Sequence, residues 1–226
     1  MKFQIREWRK LLLVLFAVIL MGFNLSFINR TGWGMDPCSS MNMGIAHTIG
    51  WTFGNWQAFF NCILLVIVLV SDRSLFGFGA LFNMFLVGYS VDFFTWAENK
   101  LLPDVPWESI AVKLAVGLPA LAFFIISSSI YMTCDMGTAP YDALVFLLHR
   151  KLSDNGTRKP GFRLVRTLWD FTAVLIGFVL GGKPGIVTVL MALFLGTTID
   201  YTAKIMRKTG IVKTPEIKTE ENIPER

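Results

Sequence analysis

Paired cysteines, histidine clusters and long polar stretches are what this chain lacks. It has two histidines, and its three cysteines, Cys38, Cys62 and Cys134, stand at spacings that match no zinc or dithiol redox motif. H-E-x-x-H, Walker A and G-x-S-x-G are also missing, and no carboxylate pair accompanies a recognisable nucleophile. We therefore expect no enzyme, no metal and no cofactor. Charge is scarce as well, at 16% of residues against 54% hydrophobic, with 20 Phe, and the apolar residues come in unbroken runs rather than helical stripes. That excludes an ordinary soluble domain. The sequence pI of about 9.2 does not call for nucleic acid, because the basic residues sit where membrane topology would put them.

A bilayer asks for roughly 17–25 apolar residues per spanning helix. Such runs lie at 11–29, 57–71, 77–97, 113–133, 165–181 and 185–203, the second and fifth being short. The start, MKFQIREWRK followed by LLLVLFAVILMG, imitates a secretory signal, but FNLSFINR follows it and offers no small-x-small cleavage site, so it reads as the first span. The expected fold is an all-α polytopic membrane protein with six transmembrane helices.

One phrase is written twice. GMDPCSSMN at 34–42 and GTAPYDALV at 137–145 each set a glycine three places before a proline, at the end of an apolar run. With Gly34 laid on Gly137 and Pro37 on Pro140, Asn24 and Ser26 fall on Ser127 and Ser129. Further on, Gly77, Gly88 and Asp92 fall on Gly185, Gly196 and Asp200. Type, order and spacing agree, which reads as a duplicated unit of one span, a Gly-Pro phrase with a short segment, and two more spans. Three spans is an odd number, so the copies would be inverted about a pseudo-two-fold axis in the membrane plane. The expected organisation is a cytoplasmic N-terminus at 1–10, a first membrane repeat at 11–97, an external linker at 98–112, a second repeat at 113–204 and a disordered cytoplasmic tail at 205–226.

Charge fits that orientation. Lys2, Arg6, Arg9, Lys10, Arg73, the cluster from Arg150 to Arg166 and the basic residues from Lys204 onward fall inside, leaving Arg30, Lys100, Lys113 and Lys183 outside. Eight spans in parallel units would give nearly the same asymmetry. Length arbitrates, because PYDALVFLLHR meets a basic loop after about ten residues, or roughly 15 Å of helix, half of the hydrocarbon thickness.

Each phrase then opens a half-helix. Proline suits the first helical position, with Asp36 able to cap the first segment and Thr138 or Ala139 preceding the second. Irregular backbone at membrane depth must be buried in protein or line a cavity, so the two breaks are expected to face one central site. Its expected binding residues are Gly34, Asp36, Ser39, Gly137, Thr138, Tyr141 and Asp142, with Asn24, Ser127 and Ser129 from the broken spans; Asp170 and Asp142 are the candidates for a coupling ion or proton. No Lys or Arg is read as lying within the membrane, which favours a small polar or zwitterionic solute over a multiply charged anion.

The pattern of an apolar span, G-x-x-P with an aromatic and Asp, a short helix and a later G-x-x-x-D resembles the YczE/YyaS/YitT group of small bacterial integral membrane proteins over residues 8–205. GTAPYDAL carries it through Tyr141 and Asp142, whereas GMDPCSSM departs from it with Cys38 and Ser39. The resemblance implies a bacterial inner-membrane protein of six-span type, in a group whose members mostly have no assigned activity. Three functions stay open: a secondary transporter with its site between the repeats, a substrate-binding subunit needing an energy-coupling ATPase, and a regulatory or assembly protein without transport. The expected partners are a small-molecule solute and membrane lipid, with a homodimer or an energy-coupling partner left open and no nucleic acid.

Overall fold

A computed structural model describes residues 5–155 and 160–208, and all regular structure among them is helical. In chain order the elements are α1 (Ile5–Thr31), α2 (Pro37–Ile49), α3 (Phe53–Ser71), a 3-10 turn (Arg73–Leu75), α4 (Phe78–Leu101), α5 (Ile110–Thr133), α6 (Pro140–Asn155), α7 (Phe162–Val179) and α8 (Ile186–Lys208). Each of the six apolar runs is carried by its own helix, and each Gly-Pro phrase opens a shorter one. Four stretches among the described residues are long and apolar enough to cross a membrane: Trp8–Thr31, Phe53–Ser71, Phe78–Leu101 and Ile110–Thr133. The polypeptide is a multi-pass membrane protein. Helix α7 has 18 residues but carries Arg163, Arg166 and Asp170.

The helices run past the apolar stretches that mark them. The N-terminal segment is helical from Ile5, α4 and α5 leave only 102–109 between them, and α8 continues as far as Lys208. The physical reason is common to all three: helices keep their hydrogen bonds beyond the apolar core, so a hydropathy run underestimates the element. The rest of the tail lies outside the described residues, as does the side chain of Asp200.

The helices form two cores. Val14, Leu25, Val87, Phe124, Tyr131 and Met191 pack α1, α4, α5 and α8 together. A smaller cluster of Met41, Leu64, Tyr141 and Ala173 joins α2, α3, α6 and α7. Small residues permit close crossings within this second group: a Cβ on Gly177 would meet the backbone of Met41 at 2.8 Å, and one on Gly44 would meet the carbonyl of Gly177 at 2.7 Å. Asp92 has a structural task, since its Oδ2 accepts the N–H of Gly54 in the first turn of α3 at 2.9 Å.

The repeated landmarks interlock. The carbonyl of Trp33, beside Gly34, accepts the N–H of Val187 at 3.0 Å, and the carbonyl of Met136, beside Gly137, accepts the N–H of Gly79 at 2.7 Å. Val187 and Gly79 are each the second residue of a helix, where backbone N–H groups have no partner within the helix. The break in each half therefore satisfies the start of the last helix of the other. Gly34 and Gly137 adopt φ of +90° and +104°, which L side chains rarely take, and each touches the glycine opening that helix, Gly185 or Gly77.

Candidate functional site

The two short helices are built as the phrases suggest. Pro37 begins α2, and Asp36 caps it by accepting the Ser39 N–H on Oδ1 at 3.1 Å. Ala139 occupies the corresponding place before Pro140, where its carbonyl accepts the N–H of Ala143 at 2.9 Å. Helix α2 has 13 residues and α6 has 16, longer than the ten or so read from sequence. At 1.5 Å per residue they span about 20 and 24 Å, still short of a hydrocarbon core about 30 Å thick.

Their mutual arrangement can be read along α7. Phe162 stacks on Phe146 with ring centroids 5.0 Å apart, Arg166 binds Asp142, and Asp170 accepts from Tyr141 at 2.9 Å, so α7 first follows α6 back towards its N-terminus. Beyond Ala173, Gly177 lies on Met41, and the Leu180 carbonyl accepts from Thr48, so α7 then follows α2 away from its N-terminus. The short helices thus run in opposite directions with their N-termini facing each other near the middle of α7. Helix α3 makes the same passage: Trp56 donates to Asn42 of α2 at 3.0 Å, and Asp72, just past its end, pairs with Arg150 of α6 at 2.7 Å.

At the meeting point lies a charged network. Arg166 donates from Nε to Asp170 Oδ2 at 2.9 Å and from Nη1 to Asp142 Oδ1, while its guanidinium carbon is 5.8 Å from the centroid of the Tyr141 ring. Asp36 lies within electrostatic range of both Asp142 and Arg166. Two carboxylates therefore share one guanidinium with a third, Asp36, nearby, and fully ionised the three leave a surplus of negative charge. The surplus meets two helix N-termini, whose free N–H groups carry partial positive charge. Two polar atoms here are buried without a partner, Asp36 Oδ2 and Trp169 Nε1. The Trp169 and Tyr141 rings are 5.6 Å apart. One acceptor and one donor are thus left open beside the ion pairs.

The expected residues divide accordingly. Asp36, Ser39, Tyr141, Asp142 and Asp170 come together around the facing helix starts, and Gly34 and Gly137 form the breaks leading to them. Thr138 is tied to the 3-10 turn, its N–H donating to the Leu75 carbonyl at 3.0 Å. Asn24, Ser127 and Ser129 are buried, but they bond carbonyls of their own helices, at Leu20, at Phe123 and Phe124, and at Ile125. In α1 and α5 this back-bonding is the nearest available satisfaction for a small polar side chain. The side chain of Arg166 lies between α6 and α7, 25% exposed and paired on both sides. Charge counting assigned it to the cytoplasmic basic loop. The readable signal was its place four residues before Asp170, which puts both on one helix face. Trp169, by contrast, has no signal beyond being aromatic.

The fold and this network define an all-helical, multi-pass membrane protein with a polar site at the facing starts of two short helices. The chain belongs to a family of unknown function, DUF6198, matched over residues 8–204. It is 24% identical over 204 residues to an uncharacterized protein of Haemophilus influenzae, covering 89% of this chain and 87% of the relative. It is similar to two Bacillus subtilis proteins as well. The uncharacterized membrane protein YczE is 23% identical over 210 residues, covering 87% of this chain and 91% of the relative. The uncharacterized protein YyaS is 21% identical over 197 residues, covering 87% and 94%. No solved structure matches.

Proposed function

We propose that the protein is a secondary transporter of the cytoplasmic (inner) membrane, binding a small polar or zwitterionic solute between two inverted repeats of three spans each. The observation that carries this reading is the pair of facing helix starts with an open acceptor, Asp36 Oδ2, and an open donor, Trp169 Nε1, beside a fixed Arg166 network. Broken helices meeting at one site, in halves that exchange contacts symmetrically, are the architecture on which alternating access operates. An ammonium group would bind Asp36, and the acceptor end of the same solute would take the Trp169 N–H and the first-turn amides. Arg166 is already committed to two carboxylates, so a multiply charged anion gains little from it.

The test uses purified protein in detergent and a panel of small amines, zwitterions, neutral polyols and monovalent anions. A ligand that binds only the folded state raises the melting temperature. We expect zwitterions or monocations to raise it, and Asp36→Asn to abolish the rise while keeping the unliganded melting temperature, because Asn is as good a helix cap as Asp. Stabilisation by anions alone, or a rise unchanged in Asp36→Asn, would overturn the reading. Uptake of the stabilising solute into proteoliposomes without any partner then separates a transporter from a subunit that needs an ATPase.

A further inference from the structure

A second buried polar cluster lies away from the facing helices, between the C-terminal ends of α1 and α4. Glu98 is 4% exposed and Ser26 1% exposed. Their oxygens Oε1 and Oγ are 2.5 Å apart, and Ser26 Oγ is also 2.7 Å from the carbonyl oxygen of Phe23. Counting hydrogens decides how this is made. A serine hydroxyl has one proton, and a backbone carbonyl can only accept. If Ser26 donates to Phe23, as its helical geometry suits, the close contact with Glu98 needs a hydrogen supplied by the carboxyl.

The surroundings favour the same assignment. Phe23 packs edge-on against Phe27 and Phe94, with centroids 5.0 and 4.9 Å apart, and Trp107 stands 6.3 Å from Phe27, so the niche has aromatic walls. Glu98 Oε2 is buried with no partner. A carboxylate with an unpaired oxygen in such walls carries a large desolvation cost that a neutral carboxyl avoids. Among the described charged groups on the elements packed here, Arg30 of α1 is the one that interacts with Glu98. Lys100, on Glu98's own helix, lies 4.4 Å over the Trp96 ring, Asp92 is engaged with Gly54, Lys113 of α5 pairs with Glu108, and α3 carries no charge.

We propose that Glu98 is a buried proton-exchange site: protonated, it donates to Ser26, which donates to the Phe23 carbonyl, and on losing its proton it turns to the unpartnered donors Arg30 Nε and Trp107 Nε1. Both donors are buried and unsatisfied in the protonated arrangement, and Arg30 sits over the Trp107 ring at 5.3 Å. The carboxylate thus has a prepared second set of partners. Asp142 and Asp170, the carboxylates expected from sequence to carry a coupling proton, are each ion-paired with Arg166. That Glu98 carries the proton coupled to solute movement rests on the transport reading; that it exchanges a proton does not.

The probe is dicyclohexylcarbodiimide, which adds to a protonated carboxyl in an apolar setting and leaves a stable N-acylurea that peptide mass spectrometry locates. In the full-length wild-type protein the adduct is expected on Glu98 at mildly acidic pH and is expected to vanish as pH rises. Asp142 and Asp170 should stay unlabelled. Arg30→Gln removes the cation that receives the ionised form, so the labelling midpoint should move up by about one pH unit, a tenfold gain in proton affinity. Ser26→Ala removes the acceptor of the acidic proton and should lower the midpoint. Glu98→Gln should lose the label and, since an amide N–H can still reach Ser26, keep the fold. Folded wild-type protein that gives no Glu98 adduct at any pH, or labels Asp142 or Asp170 instead, overturns the proposal. So does a midpoint that Arg30→Gln leaves unchanged. No solute enters this assay, so a failed transport measurement leaves its result standing, and a failed labelling leaves the transport reading standing.

Discussion

Arg166 is the residue on which the site depends. Its fork holds Asp142 and Asp170 together, and without it two carboxylates would be left facing each other and Asp36 in a poorly hydrated interior. Removing one partner of a buried ion pair typically costs about 3–5 kcal/mol, to be discounted here because the Arg166 side chain keeps 25% of its exposure. Arg166→Met is therefore expected to destabilise by about 2–3 kcal/mol. Arg166→Lys should fall between it and wild type, since an ammonium keeps the charge but cannot bridge two carboxylates with a planar fork. Adding Asp142→Asn and Asp170→Asn to Arg166→Met should restore part of the loss. Chemical unfolding in mixed micelles followed by tryptophan fluorescence measures all four, and an Arg166→Met protein as stable as wild type would refute the role. The sequence displayed Arg166 and Asp170 at helix spacing, but a residue near the start of a span reads equally well as loop or membrane until its partner on another helix is known.

Among the elements, the loops before α2 and α6 are the most constrained. Gly32 and Gly34 both have positive φ, but a Cβ on Gly32 meets nothing within 4 Å, whereas one on Gly34 collides with Gly185. Gly32→Ala should cost about 1–2 kcal/mol, the left-handed backbone penalty alone. Gly34→Ala and Gly137→Ala add the collision with the partner helix start and should lower folded yield sharply; size-exclusion profiles of the three variants check the ranking. At the other end of α3, Asp72 accepts from the Ser74 hydroxyl and backbone N–H and from Arg150, and these bonds hold its carboxyl down to about 2 from the usual 3.8. The folded value is the lower one, so the stabilisation is complete above the unfolded value and is lost as pH falls through about 2. In Asp72→Asn the fall in stability between pH about 4 and 2 should be shallower, and because the site is exposed the difference should shrink in high salt. Equal slopes in both proteins would remove Asp72 from the acid response.

At the scale of the whole molecule, the proposed arrangement of two halves with three spans each has them enter the membrane from opposite sides. Single cysteines in a Cys-less background should then be labelled from outside near Lys100 and Lys183, and from inside near Arg73 and Lys151. Inside labelling near Lys100 together with outside labelling near Arg73 would favour eight crossings in parallel units.

Solvent, helical class and the duplicated phrase were all readable in the sequence, because each depends on local quantities: hydropathy over one span, a proline at a helix start, a glycine where the backbone must turn. Asp36 as a cap was legible for the same reason, since its partner Ser39 is three residues away. Only the tertiary structure decided that Trp33 and Met136 serve the starts of distant helices, that Arg166 belongs with Asp142 on another helix, and that Asn24, Ser127 and Ser129 are satisfied within their own spans. Glu98 shows the difference most plainly. In the sequence it is only the first position of the expected external linker at 98–112, and what makes it a buried residue is the packing of α1, whose Ser26 is 72 positions earlier in the chain.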